Sequence, residues 1–147
     1  MLFQTGFDRA VLVDTSAVRA LLHPADQWHD DAVCFWDAHK TQFNFVTVVN
    51  TSQEVFTGVR KRKHPISTTH EALENYWFLR RNTPVVLLSL DASDEGSAIT
   101  ILEKFEDHVI SFHDAFCAAV MLRLGVVKVF SFDTDFRTLG FERLPLW

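Results

Sequence analysis

The segment AVLVDTSAVRALL, residues 10–22, decides the fold. Four apolar residues run without alternation into Asp14, the pattern of a strand buried on both faces. From Thr15 the spacing turns helical and holds to Leu22, before Pro24 stops it by removing a backbone N–H.

Outward from this unit the same alternation recurs. Residues 26–39 put Trp28, Ala32, Phe35, Trp36 and His39 on one helical face, and 43–49 read as a second strand rich in Phe and Val. Residues 51–59 and 67–81 read as helices. VVLLSL at 85–90 is a third, apolar strand, followed by a helix over 92–105. An apolar helix over 112–124 stops at Gly125, a residue suited to the left-handed cap. Residues 126–132 give a fourth strand, and 141–146 a short fifth at the edge. Strands alternating with helices imply an α/β sandwich with a mostly parallel sheet. Sites in such sheets lie outside the carboxyl ends of the strands, where Asp14 and Asp133 fall.

The chain has 147 residues, enough for one domain with a real core, and no repeat or linker divides it. With 48% hydrophobic and 22% charged residues, disorder is excluded. Its 19 acids against 14 Lys and Arg give a net charge of −5, which argues against a small basic domain that coats phosphates. A local basic patch remains compatible with that total. The two cysteines, Cys34 and Cys117, are too few for a disulfide framework and read as reduced, buried thiols of a cytoplasmic protein. No signal peptide and no membrane span are expected.

Four acids occupy related places. Asp14 and Asp133 follow apolar strands; Glu54 and Asp114 open helices; Asp135 lies two residues beyond Asp133. Each has a local explanation. Asp14 suits a helix cap, TSQE (51–54) and SFHD (111–114) match capping boxes, and Asp133 and Asp135 suit a turn. The functional reading requires the acids to meet. Carboxylates packed together repel, and a hard divalent cation such as Mg²⁺ or Mn²⁺ relieves that repulsion. Such an ion also lowers the pKa of water beside a phosphodiester.

The contexts VLVDTSAVRALL, TSQEV, SFHDAFCAA and VFSFDTDF together resemble the PIN-domain family, most closely the VapC-type toxins of toxin–antitoxin pairs. The resemblance spans about residues 11–136. It implies a three-layer α/β/α sandwich with a central sheet of four to five mostly parallel strands. It also implies an Mg²⁺- or Mn²⁺-dependent endoribonuclease, held inactive by an antitoxin protein and assembled as a homodimer or larger complex. Asp14, Glu54, Asp114 and Asp133 would form the catalytic and metal-holding set, with Asp135 secondary. Thr15, Ser16 and Ser131 would orient carboxylates or water through their hydroxyls.

Arg60, Lys61, Arg62 and Lys63 crowd after Glu54, and Lys61 returns to the Glu54 face of a continuous helix about 10 Å away. They are the candidate grip on RNA phosphates; the plainer reading is a solvated helix end. Arg80 and Arg81 suit a helix cap, and His113 a helix-terminal surface position. Trp28, Phe35, Trp36, Tyr76 and Trp77 are expected mostly in the core. Two other readings share the fold: a PIN-like RNA- or protein-binding module without catalysis, and a phospho-signalling receiver with Asp91 as its phosphoacceptor.

Overall fold

The protein was analysed as a computed structural model that describes residues 7, 9–61, 69–81 and 85–145, excluding the side chains of residues 59, 60, 61 and 71. The elements run β1 (Ala10–Val13), α1 (Thr15–Leu22), α2 (His29–His39), β2 (Asn44–Val48), α3 (Val49–Lys61) and α4 (Thr69–Arg81). They continue with β3 (Val85–Leu88), α5 (Ala92–Lys104), α6 (Phe112–Leu124), β4 (Lys128–Phe130), α7 (Asp135–Thr138) and β5 (Glu142–Leu144). The strands form one sheet in the order β3-β2-β1-β4-β5, and every pairing is parallel.

Strand periodicity divides the core in two. Val11 and Val13 of β1, Phe45 of β2 and Phe130 of β4 face one way, and pack with Ala17, Val18, Phe35, Trp36, Val55 and Leu79 from α1 to α4. Leu12, Val46, Val48 and Val129 face the other way, against Cys117, Val120 and Met121 of α6 and Phe136 of α7. A strip of alanines, Ala98 on α5 with Ala115 and Ala119 on α6, lets those two helices approach closely. Three layers result, with β1 central and every strand ending at the same edge.

The structure moves several expected boundaries, each for a local reason. The α2 helix begins at His29 rather than 26, because Asp26 accepts the Trp28 N–H at 2.9 Å and forms a turn first. β4 is shorter than 126–132 at both ends. Val126 donates to the Met121 carbonyl at 2.9 Å, closing α6 around Gly125 at φ 72°, and the Phe132 N–H goes to Ser16 Oγ. α3 starts at Val49, so Thr51 lies inside the helix and TSQE is not a capping box. Ser111 does cap α6, accepting the Asp114 N–H at 3.0 Å. The short helix α7 was not expected; it buries Phe136 completely.

Burial corrects three side-chain readings. Cys34 is exposed and only Cys117 is buried. Trp77 is 40% exposed and stacks under the Arg81 guanidinium at 4.3 Å, while Arg80 donates to Tyr76, so both arginines of the last turn lie on aromatic residues of α4 itself. Phe35 and Trp36 are core residues as expected, and Trp28 stacks on Phe132 with ring centres 5.5 Å apart. The receiver reading does not survive this topology. β2 separates β1 from β3, and the Asp91 carboxylate is occupied by the Ser93 N–H and hydroxyl as the cap of α5.

Asp94 fastens α5 to α6. It is 1% exposed, receives Arg123 Nε at 2.9 Å and Nη2 at 3.0 Å, and accepts the Asp91 N–H at 2.6 Å. The Arg123 hydrogen bonds hold its carboxyl below the ordinary aspartate range. A depressed acid stabilises the fold above its unfolded value, and that contribution is lost as pH falls through the folded value. Asp94→Ala should therefore cost about 2 kcal/mol at pH 7, a figure reduced for the partial exposure of Arg123. In denaturant titrations the gap from wild type should persist to pH 5 and shrink below pH 4. Equal midpoints at pH 7 would contradict this role.

Candidate active site

The carboxyl ends of β1 and β4 lie side by side, because Val13 pairs with Phe130 and the Asp14 N–H bonds to the Phe130 carbonyl at 3.0 Å. Beyond that point the chain leaves the sheet at Asp14 and Ser131. Asp14 is 3% exposed. Its Oδ2 accepts two hydroxyl protons, from Ser16 and Ser131, both at 2.8 Å. Each serine has one proton to give, and each in turn accepts a backbone N–H: Ser16 from Phe132 at 2.9 Å, Ser131 from Asp133 at 3.0 Å. These four bonds lock the start of α1 to the loop after β4. Burial pushes the Asp14 carboxyl up, and the two hydroxyls oppose it.

Asp133 follows in that loop, and its Oδ1 accepts the Asp135 N–H at 2.9 Å, the turn expected from the sequence. The turn also aims both acids back at α6. Carboxylate oxygens of Asp114, Asp133 and Asp135 all lie within 4.8 Å of one another. Asp135, secondary in the sequence reading, thus stands in the tightest group. Asp14 lies beside it, close enough to raise Asp114 by charge. Burial first, then Asp14 and Asp133, push the Asp114 carboxyl up to about 7, and burial and Asp133 raise Asp135. Without a cation, the group therefore holds a proton near neutral pH.

Glu54 reaches the same edge from α3 but is held apart. Its Oε2 accepts from Thr15 Oγ1 at 3.2 Å and from His113 Nε2 at 2.9 Å. His113 is not at the surface: its side chain is 13% exposed. It sits between Glu54, Thr51 Oγ1 at 3.2 Å and Cys117 Sγ at 3.5 Å. The Val13 carbonyl, which only accepts, takes the Thr47 hydroxyl proton at 2.8 Å. Thr51, 3.0 Å from Thr47, then donates to Thr47 and turns its lone pairs to His113. Burial opposes a charged imidazole, but the bonds to Cys117 and Glu54 outweigh it and push His113 up to about 11. Burial raises the Cys117 thiol, so Glu54 is the standing anion. Burial likewise works against charge on Glu54, yet His113, Thr15 and Arg19 hold it below the ordinary glutamate range.

The sequence reading missed this imidazolium–carboxylate pair. His113 precedes Asp114 by one residue, and only the meeting of the first turns of α3 and α6 at the sheet edge shows which way its ring turns. Of the basic run, Arg60 and Lys61 close α3 but their side chains are not described, and Arg62 and Lys63 lie outside the described residues. α3 is continuous from Glu54 to Lys61.

The fold and its edge define the class: a three-layer α/β protein whose parallel sheet gathers carboxylates from separate chain segments at its carboxyl end. Within that class the chain belongs to the PIN domain family, whose model matches residues 11–142. Among solved structures it resembles VapC20 of Mycobacterium tuberculosis, described as a sarcin–ricin loop cleaving toxin. The two share 27% identity over 89% of this chain and 95% of that one, with a TM-score of 0.77. Two further structures share the fold. FitAcB from Neisseria gonorrhoeae is 17% identical, with 90% and 95% coverage and a TM-score of 0.65. VapBC2 from Rickettsia felis, bound to a promoter DNA fragment, is 12% identical, with 91% and 96% coverage and a TM-score of 0.67. No curated protein matches the chain in sequence. No helix among the described residues is long and apolar enough to cross a membrane.

The raised Asp114 fixes a sign. The folded protein binds more protons than the unfolded chain between 3.8 and about 7, so metal-free stability falls as pH rises through that interval. Asp114→Asn should raise the stability of EDTA-treated protein by about 1–3 kcal/mol at pH 8 and by little at pH 4, read from urea midpoints. A loss of stability at pH 8 would show that the cluster is not strained by its charge.

Proposed function

We propose that the protein is a metal-dependent endoribonuclease, the toxin of a toxin–antitoxin pair, acting on RNA in the cytoplasm. One observation carries the reading: acids from distant segments converge at one sheet edge, with Asp114, Asp133 and Asp135 oxygens within 4.8 Å of each other. All their donors are hard oxygens, the set that suits Mg²⁺ or Mn²⁺. The likeness to a toxin described as cleaving the sarcin–ricin loop, at 27% identity, supports the substrate class.

Asp14, Asp114 and Asp133 are assigned as the metal-holding residues, with Asp135 as an added carboxylate and Glu54 at the rim. A bound divalent cation there supplies charge neutralisation and a water of lowered pKa for in-line attack on a phosphodiester. The chain's own residues prepare the rest. Ser16 and Ser131 oppose the effect of burial on Asp14 and fix its direction, which keeps one oxygen, Oδ1, free of both hydroxyls. His113 and Thr15 hold Glu54 by Oε2, so Oε1 is left to orient water or accept its proton. Products would carry 5′-phosphate and 3′-hydroxyl ends, as expected for family nucleases.

The partner reading, a cognate antitoxin protein, is supported by a structure of the same fold described as a toxin–antitoxin complex from Klebsiella pneumoniae; assembly as a homodimer or larger complex rests on the family resemblance alone. Asp14→Asn and Asp114→Asn should each lower RNA cleavage by 10² or more, on the order expected for loss of a metal-holding group, with circular dichroism unchanged. End-mapping of cellular RNA after induction reads this out; cleavage by either variant at the parental rate would refute the site. Separately, Lys61→Glu with Lys63→Glu should weaken RNA binding and reduce the salt slope by about 0.7 per lost phosphate contact. An unaltered slope would return the basic run to its plain role as a solvated helix end.

A further inference from the structure

Arg19 stands on α1 one turn beyond Thr15, with α3 against it. Its Nη1 lies over α3 at Gly58, where an added Cβ would come within 3.9 Å. Its Nε is buried and has no hydrogen-bond partner. Among the described residues Arg19 also forms no salt bridge, although it lies near enough to Glu54 to favour that carboxylate's charge. Glu54 is already matched by His113 at 2.9 Å. The guanidinium is therefore a cation beside the acidic edge of the sheet that supports the Glu54 charge at a distance but forms no salt bridge among the described residues. Arg19 as a whole is only half-buried, so although Nε is closed to solvent the guanidinium edge can still donate to an anion with two or more acceptor oxygens.

We propose that Arg19 is a phosphate-binding residue of the cleft, gripping a non-bridging oxygen of an RNA phosphodiester that flanks the one cut. This deepens the nuclease reading and rests on it. An RNA strand held at the carboxylate group through a bound cation carries a flanking phosphate one nucleotide away, and Arg19, one helical turn beyond the Thr15–Glu54 contact, is placed to meet it. A protein carboxylate is a poorer fit, because it would enter beside Glu54, Asp14 and Asp114 without any cation of its own. His113 has a part in this: by pairing with Glu54 it keeps that acid from closing on Arg19.

The test uses the full chain with Ca²⁺ filling the all-oxygen site in place of Mg²⁺ or Mn²⁺, and a 5′-labelled single-stranded RNA titrated by fluorescence polarisation across a salt series, with intact RNA verified on a gel. Wild type, Arg19→Gln and Arg19→Lys are compared, with melting temperature and Mn²⁺ calorimetry on each. Arg19→Gln is expected to weaken binding roughly 5–10-fold and to lower the log–log salt slope by about 0.7, the loss of one single-strand phosphate contact. Arg19→Lys should retain the slope with intermediate affinity, since it keeps the charge and loses the fork. Melting temperature and Mn²⁺ affinity should not move. An unaltered slope in Arg19→Gln overturns the proposal, as does an effect confined to melting temperature or to binding of an antitoxin. If wild type binds RNA but never cleaves it, the nuclease reading fails while the phosphate contact stands. If wild type cleaves and the Arg19→Gln slope is unchanged, only the phosphate contact fails.

Discussion

The double acceptance by Asp14 Oδ2 is the interaction on which this site is built. A carboxylate 3% exposed at the end of a central strand is costly unless its charge is met locally. Two serine hydroxyls meet it, one from the helix after β1 and one from the end of β4. Because each serine also takes a backbone N–H from the β4 loop, satisfying Asp14 simultaneously fixes where that loop leaves the sheet. Asp133 and Asp135 inherit their positions from that departure. The acidic group is thus placed by hydrogen bonds to one buried acid rather than by its own mutual contacts, which are repulsive.

An all-parallel sheet makes this arrangement available. Every strand ends at the same edge, so side chains distant in sequence meet without any long excursion of the chain. α6 adds Asp114 from the opposite layer, and the buried Asp94–Arg123 pair secures α6 against α5 at the far end of its length. The second polar chain, from the Val13 carbonyl through Thr47 and Thr51 to His113 and Glu54, ties β1 and β2 to α3 and α6. Two hydrogen-bonded lattices therefore meet at the cleft, one holding the aspartates and the other holding the glutamate.

How far the sequence discloses this follows from what each feature depends on. The element order, the helices at 15–22 and 112–124 and the parallel character of the sheet were legible, because they rest on local periodicity and on apolar runs. The acids that close strands or open helices were legible as candidates for the same reason. What failed were features set by tertiary partners. Val126 and Phe132 read as strand, but their N–H groups belong to α6 and Ser16. Thr51 reads as a cap, but its hydroxyl serves a relay between layers. His113 reads as a surface residue beside an acid, and no spacing rule reveals that Thr51 and Glu54 of α3 reach it across the sheet edge. Arg19 sits in an ordinary amphipathic turn, and only the packing shows an unmatched buried N–H.

The negative total of the chain takes on a different meaning once these partners are known. A net charge of −5 spread evenly would repel a polyanion, yet the acids here fall into two kinds. Glu54 is answered internally by His113, and Asp94 by Arg123. Asp114, Asp133 and Asp135 form no salt bridge among the described residues, and burial and mutual repulsion raise Asp114 and Asp135. Arg143, 8% exposed, lies near enough to feel the charge of Asp133, yet Asp114 and Asp135 stay raised, so the remaining negative charge of the cluster is best explained by a counter-charge that arrives from outside. Internal pairing of Glu54, with neutralisation of the aspartates by a bound cation, would leave the guanidinium of Arg19 as local positive charge at the same edge, the condition under which the proposed phosphate contact is compatible with a net charge of −5.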